Sequence, residues 1–97
     1  MRLANDEITT IKTNINRYFQ EPTIYLFGSR IDDTKKGGDI DLFIISQNSS
    51  YEAKLKASSK LEYLLNKPVD IVLHKDFSKE IEQEALNKGI LLWVMNW

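Results

Sequence analysis

The chain has no cysteine and a single histidine. The first absence excludes disulfides and thiolate metal sites, and the second excludes a zinc centre built from several imidazoles. Charge of one sign is not in excess either. Thirteen lysines and arginines stand against 14 aspartates and glutamates, so no long-range positive field draws nucleic acid, which makes it a weak candidate partner. Long hydrophobic runs are missing. The longest apolar stretch, Ile90 to Met95, is far too short to cross a hydrocarbon layer of about 30 Å as a helix, and the polar, charged start does not read as a secretory signal. A cytoplasmic protein with no membrane association is the expectation. There are only two prolines and four glycines, and with no repeats or linkers the 97 residues are expected to form a single domain, 1–97, with one core and no room for a separate substrate-binding domain.

What is present is a regular alternation of helical and strand patterns. Ile8, Ile11, Ile15, Tyr18 and Phe19 recur at helical spacing and predict an amphipathic helix from about Asn5 to Phe19. Pro22 restarts the chain, and the β-branched and aromatic run Thr23 to Phe27 predicts a strand. The polar segment Arg30 to Gly38 reads as a loop or at most one helical turn. A second strand is expected from about Asp39 to Ser46. Ser50 is placed as an N-cap, and Tyr51, Leu55, Leu61, Leu64 and Leu65 mark a helix ending near Leu65. Pro68 opens a third strand over Val69 to Leu73. A helix from about Ser78 to Asn87, with Ile81, Ala85 and Leu86 on one side, ends at Gly89, and Ile90 to Val94 reads as a final strand. This order predicts an α/β (α+β) fold with helices packed on a small mixed sheet and the chemistry at one sheet edge.

The residues that carry chemistry lie around the second strand. Gly28-Ser29 follows the first strand, and after a nine-residue spacer comes Asp39-Ile40-Asp41. Successive side chains of a strand point to opposite faces, so Asp39 and Asp41 share one face, roughly 7 Å apart. Two like charges beside Ile40, Leu42 and Ile44 are unfavourable in a half-buried strand unless something positive lies between them. A divalent metal such as Mg2+, which takes one or two carboxylates together with phosphate oxygens, is that compensation. Gly28 lets the backbone approach a ligand closely, and Ser29 offers a hydroxyl and an N-cap, so this turn suits a phosphate group. Arg30 reads equally as a phosphate contact or as a solvated surface arginine.

Competing motifs fail on spacing. A calcium loop needs oxygen ligands at alternate positions and a terminal glutamate, but Leu42 to Ile45 occupies that ground. A P-loop needs Gly-Lys-Ser/Thr before a helix, whereas Lys36 precedes Gly37. His74, alone at a strand end, could be a general acid, but it is read as structural or exposed and left out of the site. Trp97 is a candidate for partner contact, and Tyr51, Tyr63 and Trp93 are open between packing and interface roles.

Gly28-Ser29, the nine-residue spacer and Gly38-Asp39-Ile40-Asp41-Leu42 resemble the signature of the DNA polymerase beta-like nucleotidyltransferase superfamily. In length the chain is similar to its minimal nucleotidyltransferase (MNT) members, many of which are antitoxins paired with a helical HEPN-domain ribonuclease toxin. The resemblance implies a third acid on a later strand, and Asp70 in Lys67-Pro68-Val69-Asp70 is the matching position. It further implies Asp39, Asp41 and Asp70 as catalytic and metal-binding residues, Gly28, Ser29 and Arg30 as nucleotide-binding residues, and Mg2+ with ATP as substrate. The expected activity is transfer of AMP to a hydroxyl, such as a tyrosine's, of the HEPN toxin. A non-catalytic antitoxin that binds and occludes the toxin is the alternative, and an enzyme labelling nucleic-acid ends is the third reading.

Overall fold

Residues 3–28 and 39–93 are described by a computed structural model. Seven elements occur in the predicted order: α1 (Asn5–Tyr18), β1 (Thr23–Phe27), β2 (Ile40–Ile45), α2 (Tyr51–Leu65), β3 (Val69–Leu73), α3 (Glu80–Lys88) and β4 (Ile90–Trp93). The strands lie in the order β3-β2-β1-β4. β1 is antiparallel to both β2 and β4, while β2 and β3 run parallel, joined by α2 as the crossover. The mixed sheet is therefore as expected. Arg30 to Gly38 and Val94 to Trp97 lie outside the described residues, and with them Ser29, Arg30 and Trp97. Among the described residues no helix is long and apolar enough to cross a membrane.

Strand alternation gives the sheet two unlike faces. Ile24, Leu26, Ile40, Leu42, Ile44, Val69 and Ile71 point to one side and pack with Ile11, Ile15, Ala53, Ala57 and Leu61 of α1 and α2. This is the main core. On the opposite face Phe27 and Phe43 pack with Ala85 of α3, and Tyr25, Ile45, Val72 and Leu86 border them. α3 is short, so this second face is only partly covered. Asp41 and Asp70 belong to it by strand parity.

The helix ends have identifiable causes. Ser50 Oγ accepts from the Ala53 amide at 3.0 Å, as its N-cap role requires. Asn66 closes α2 with a left-handed φ of 55°. Asn48 reaches back to the end of α1, donating from Nδ2 to the Tyr18 carbonyl at 3.1 Å, while Ser46 Oγ donates to the Gln20 carbonyl at 2.6 Å. Gly89 ends α3 as predicted, but with φ −74° and ψ 164° it is extended. Glycine is needed there because a Cβ would overlap the Ala85 carbonyl oxygen and crowd that of Leu26.

Two helix faces differ from the sequence reading. In α2 the buried residues are Ala53, Ala57 and Leu61, while Leu55 and Leu64 are 47% and 45% exposed. Small residues bring that helix close to the sheet, so leucine spacing was a poor guide to its inner side. In α3 the exposed member is Ile81, and Glu82 is buried with 1% exposure. Its carboxylate fastens the β3–α3 loop. Oε1 lies 2.6 Å from His74 Nδ1, and Oε2 accepts from the amides of Lys75 at 2.8 Å and Asp76 at 2.9 Å. Phe77 stacks on the His74 ring at 3.9 Å between centroids, so of the two placements expected for His74, structural or exposed, the structural one describes it.

Burial opposes ionisation of Glu82, but the Asp76 amide, the His74 ring and the Lys75 amide together hold its carboxyl below the usual range. With the folded value lowered, this contribution to stability is present above the unfolded pKa and is lost as pH falls through the folded one. Glu82→Ala leaves a ring nitrogen and two amides without their acceptor, at an expected cost of roughly 1–3 kcal/mol. Thermal melts of the variant and wild type should differ clearly at neutral pH and converge in acid.

Candidate active site

Parallel pairing of β2 with β3 sets Asp41 directly beside Asp70. Neighbouring strands are about 4.8 Å apart, so the two carboxylates emerge side by side on the partly covered face. Asp39 lies two residues before Asp41, just ahead of the strand, and is exposed like Asp70, whereas Asp41 is half-buried. The antiparallel register of β1 on β2 pairs Phe27 with Asp41 and thus delivers Gly28 to the same place. Gly28 has φ +77°, and a Cβ there would overlap Asp41 Oδ2. Two separate reasons therefore require glycine: the left-handed backbone, and the carboxylate occupying the space of a side chain. The site is consequently not confined to a sheet edge. Asp41 stands on β2, an inner strand, and only Asp70 is on the edge strand β3.

Electrostatics make Asp41 the focus. Burial first, then the charges of Asp70, Asp39 and Glu84, raise its pKa from 3.8 to about 6. Glu84, on α3, was not singled out from sequence, because its proximity to Asp41 arises only when α3 docks on the sheet. The fourth acid adds to the negative potential. Among the described residues, none of Asp39, Asp41 and Asp70 has an ion-pair partner.

Such a cluster fits a cation. Among the described residues, no three acidic or imidazole groups already close round one point as a finished ion cage. The donor set instead fits a hard divalent ion that takes part of its oxygen shell from substrate phosphate, the usual habit of Mg2+. Gly28 opens the backbone toward the same position, which is the approach a phosphate tail requires.

The family model "Polymerase beta, Nucleotidyltransferase" matches residues 9–96. The chain belongs to this nucleotidyltransferase family. Among curated protein sequences none matches significantly. Among solved structures, a toxin–antitoxin with AMP-PNP is 26% identical with a TM-score of 0.79, over 90% of this chain and 73% of that one. A tri-AMPylated Shewanella oneidensis HEPN toxin in complex with MNT antitoxin is 24% identical with a TM-score of 0.74, over 91% of this chain and 70% of that one. The toxin–antitoxin MntA-HepT gives 22% and 0.76, over 94% and 73%. The last two likenesses speak for the fold alone. For this nucleotidyltransferase, that fold is the one the family resemblance implied.

Two substitutions probe the geometry. Gly28→Ala should destabilise by roughly 1–3 kcal/mol through backbone strain and push Asp41 out of place, measurable as a lower melting temperature. Asp41→Asn should do the opposite in metal-free buffer. With the folded pKa above the unfolded one, ionising Asp41 costs stability progressively from pH 3.8 to about 6 and fully above that. The variant should melt a few degrees higher than wild type at pH 8 in chelator, with the gain vanishing below pH 4.

Proposed function

We propose that this nucleotidyltransferase moves AMP from ATP to a hydroxyl, a tyrosine's, of a partner HEPN ribonuclease toxin, and so acts as its antitoxin. The observation that carries this reading is the side-by-side placement of Asp41 and Asp70 against the Gly28 turn. The toxin–antitoxin solved with AMP-PNP and the tri-AMPylated HEPN toxin held by an MNT antitoxin support the nucleotide and the partner. Residues 1–97 are taken as one minimal nucleotidyltransferase domain, with recognition of the acceptor left to the toxin's own surface.

Each group has a task. Asp39, Asp41 and Asp70 would hold Mg2+, which supplies neutralisation of the charge that grows on the phosphoryl oxygens. The Gly28 amide holds the terminal phosphates and orients the α phosphorus for in-line attack. Ser29 and Arg30 are assigned to the same phosphates from spacing and family pattern. The acceptor oxygen bonds to the α phosphorus, the α–β bridging bond breaks, and pyrophosphate leaves with the electron pair. Asp70, exposed on the neighbouring strand, accepts the hydroxyl proton.

Incubation with a partner HEPN toxin, labelled ATP and Mg2+ should move label to the toxin and silence its ribonuclease. Asp41→Asn should reduce transfer at least about 100-fold, the scale expected for losing one charge-stabilising group, while the complex still forms. Silencing without label would establish occlusion instead, and label on RNA would establish an end-transferase.

A further inference from the structure

We infer that the free edge of β3 is a docking site for an extended, acidic segment of a partner protein, which adds to the sheet as a further strand. β3 ends the strand order and pairs only with β2. In a parallel pair, successive residues turn their backbone groups to alternate sides. The Pro68 carbonyl accepts from the Ile40 amide and the His74 amide donates to the Ile44 carbonyl, both at 2.9 Å, so the even-numbered residues face β2. Val69, Ile71 and Leu73 turn theirs outward.

The two ends of that edge are already held. The Val69 amide donates to Glu62 Oε2 at 2.9 Å, and the Lys75 amide to Glu82 Oε2 at 2.8 Å. Between them, the amides and carbonyls of Ile71 and Leu73 have no hydrogen-bond partner among the described residues. Ile71 is only 1% exposed, and backbone groups so shielded are nearly always paired in a folded chain. A strand laid along β3 supplies those bonds, and strand addition at an open sheet edge is a general mode of peptide capture.

The space beside the edge fits such a guest. A cleft of about 520 Å³ is bordered by Ile71 and Leu73, which pack toward α2, and by Val72, which packs toward α3, so it lies along the edge itself. Tyr51 on the α2 side and Ile81 on the α3 side line it and are 68% and 44% exposed. They meet the side chains that an added strand turns alternately to the two faces.

Charge selects the guest. Lys54, Lys75 and Lys79 line the cleft, and among the described residues none has a carboxylate partner. Glu82 is committed to His74 and to the amides of Lys75 and Asp76. Lysines placed on an edge strand guard it against pairing, but β3 itself, Val69-Asp70-Ile71-Val72-Leu73, has none. Here they frame the edge from α2 and from the β3–α3 loop. A second copy pairing through the same edge would set two such triads against each other, whereas an acidic segment complements them.

The cleft also has a direction. α2 begins after the end of β2, and the loop with Lys75 and Lys79 follows the end of the parallel β3, so the cations gather at one end while Asp70 lies toward the other. A hydroxyl residue of the added strand opposite Asp70 shares its sheet face at a strand spacing of about 4.8 Å. That consequence rests on the AMP transfer proposed above; the docking itself does not.

NMR amide exchange on the full chain tests the docking, with the capped peptide Tyr-Val-Thr-Val-Glu-Glu, its reverse order, and both with lysine in place of glutamate. An acidic peptide should slow exchange at Ile71 and Leu73 about ten-fold or more, with little change at Val72, whose amide faces β2. Leu73→Pro removes one outward amide without touching the β2 ladder and should weaken binding about ten-fold, the upper scale of one backbone hydrogen bond. Lys54→Glu/Lys75→Glu/Lys79→Glu, confined to exposed side chains, should weaken it at least as much in low salt. No binding at millimolar peptide, binding that leaves both amides unprotected, or equal binding of the lysine peptides overturns the inference. So does displacement by oligoadenylate at lower concentration than by the acidic peptide, which assigns the cleft to nucleic acid, or protection that grows with protein concentration alone, which assigns it to a second copy. In complex with a HEPN toxin, label on the toxin with Leu73 unprotected removes the docking and leaves the transfer standing. Protection without label does the reverse.

Discussion

The arrangement depends on keeping a half-buried carboxylate among its own kind. Burial of Asp41 raises its affinity for a proton most, and the charges of Asp70 on the next strand, Asp39 two residues earlier and Glu84 on the facing helix raise it further. Folding does not favour such a cluster; the apolar side of the same strand has to outweigh it. Ile40, Leu42 and Ile44 are fully buried on the opposite face, so the strand that bears the unfavourable charges is also one of the best anchored. Strain at a functional position, offset by packing immediately behind it, is a recurring way to hold a site ready for its ligand.

The two faces of the sheet divide the labour. α1 and α2 cover one side completely, and α3 covers the other in part, leaving the acidic cluster reachable. Glu82 takes part in this division from below the surface. By gathering His74 and two loop amides, it fixes the segment between β3 and α3, which bears Lys75 and Lys79. A buried polar residue thus fixes the loop that walls the cleft beside β3, which it also lines.

Much of this was legible in the sequence. The strands announced themselves through β-branched runs punctuated by Pro22, Gly28 and Pro68, and all seven elements fall within two residues of their expected ends among the described positions. The Asp39–Asp41 pair was readable because a period of two is a property of any strand, and Asp70 because the third strand starts where Pro68 permits. What could not be read were relations that exist only after packing. Leu55 and Leu64 follow a helical spacing yet face outward, since close approach of α2 favours Ala53 and Ala57 within. Ile81 and Glu82 are adjacent, and their hydrophobicities rank them in the wrong order. Only the His74 ring and the amides of Lys75 and Asp76, brought over α3 by the loop, make a carboxylate the better inner residue.

The parallel crossover has a temporal consequence. Asp41 and Asp70 become neighbours only when β3 has docked along β2, a pairing between distant parts of the chain, which is among the slower kinds of contact to close. A nascent or unravelled chain can own the Gly28 turn and its aspartates and still be inert. Competence therefore arrives as a late event of folding, and it would be forfeited early whenever the outermost strand peels away.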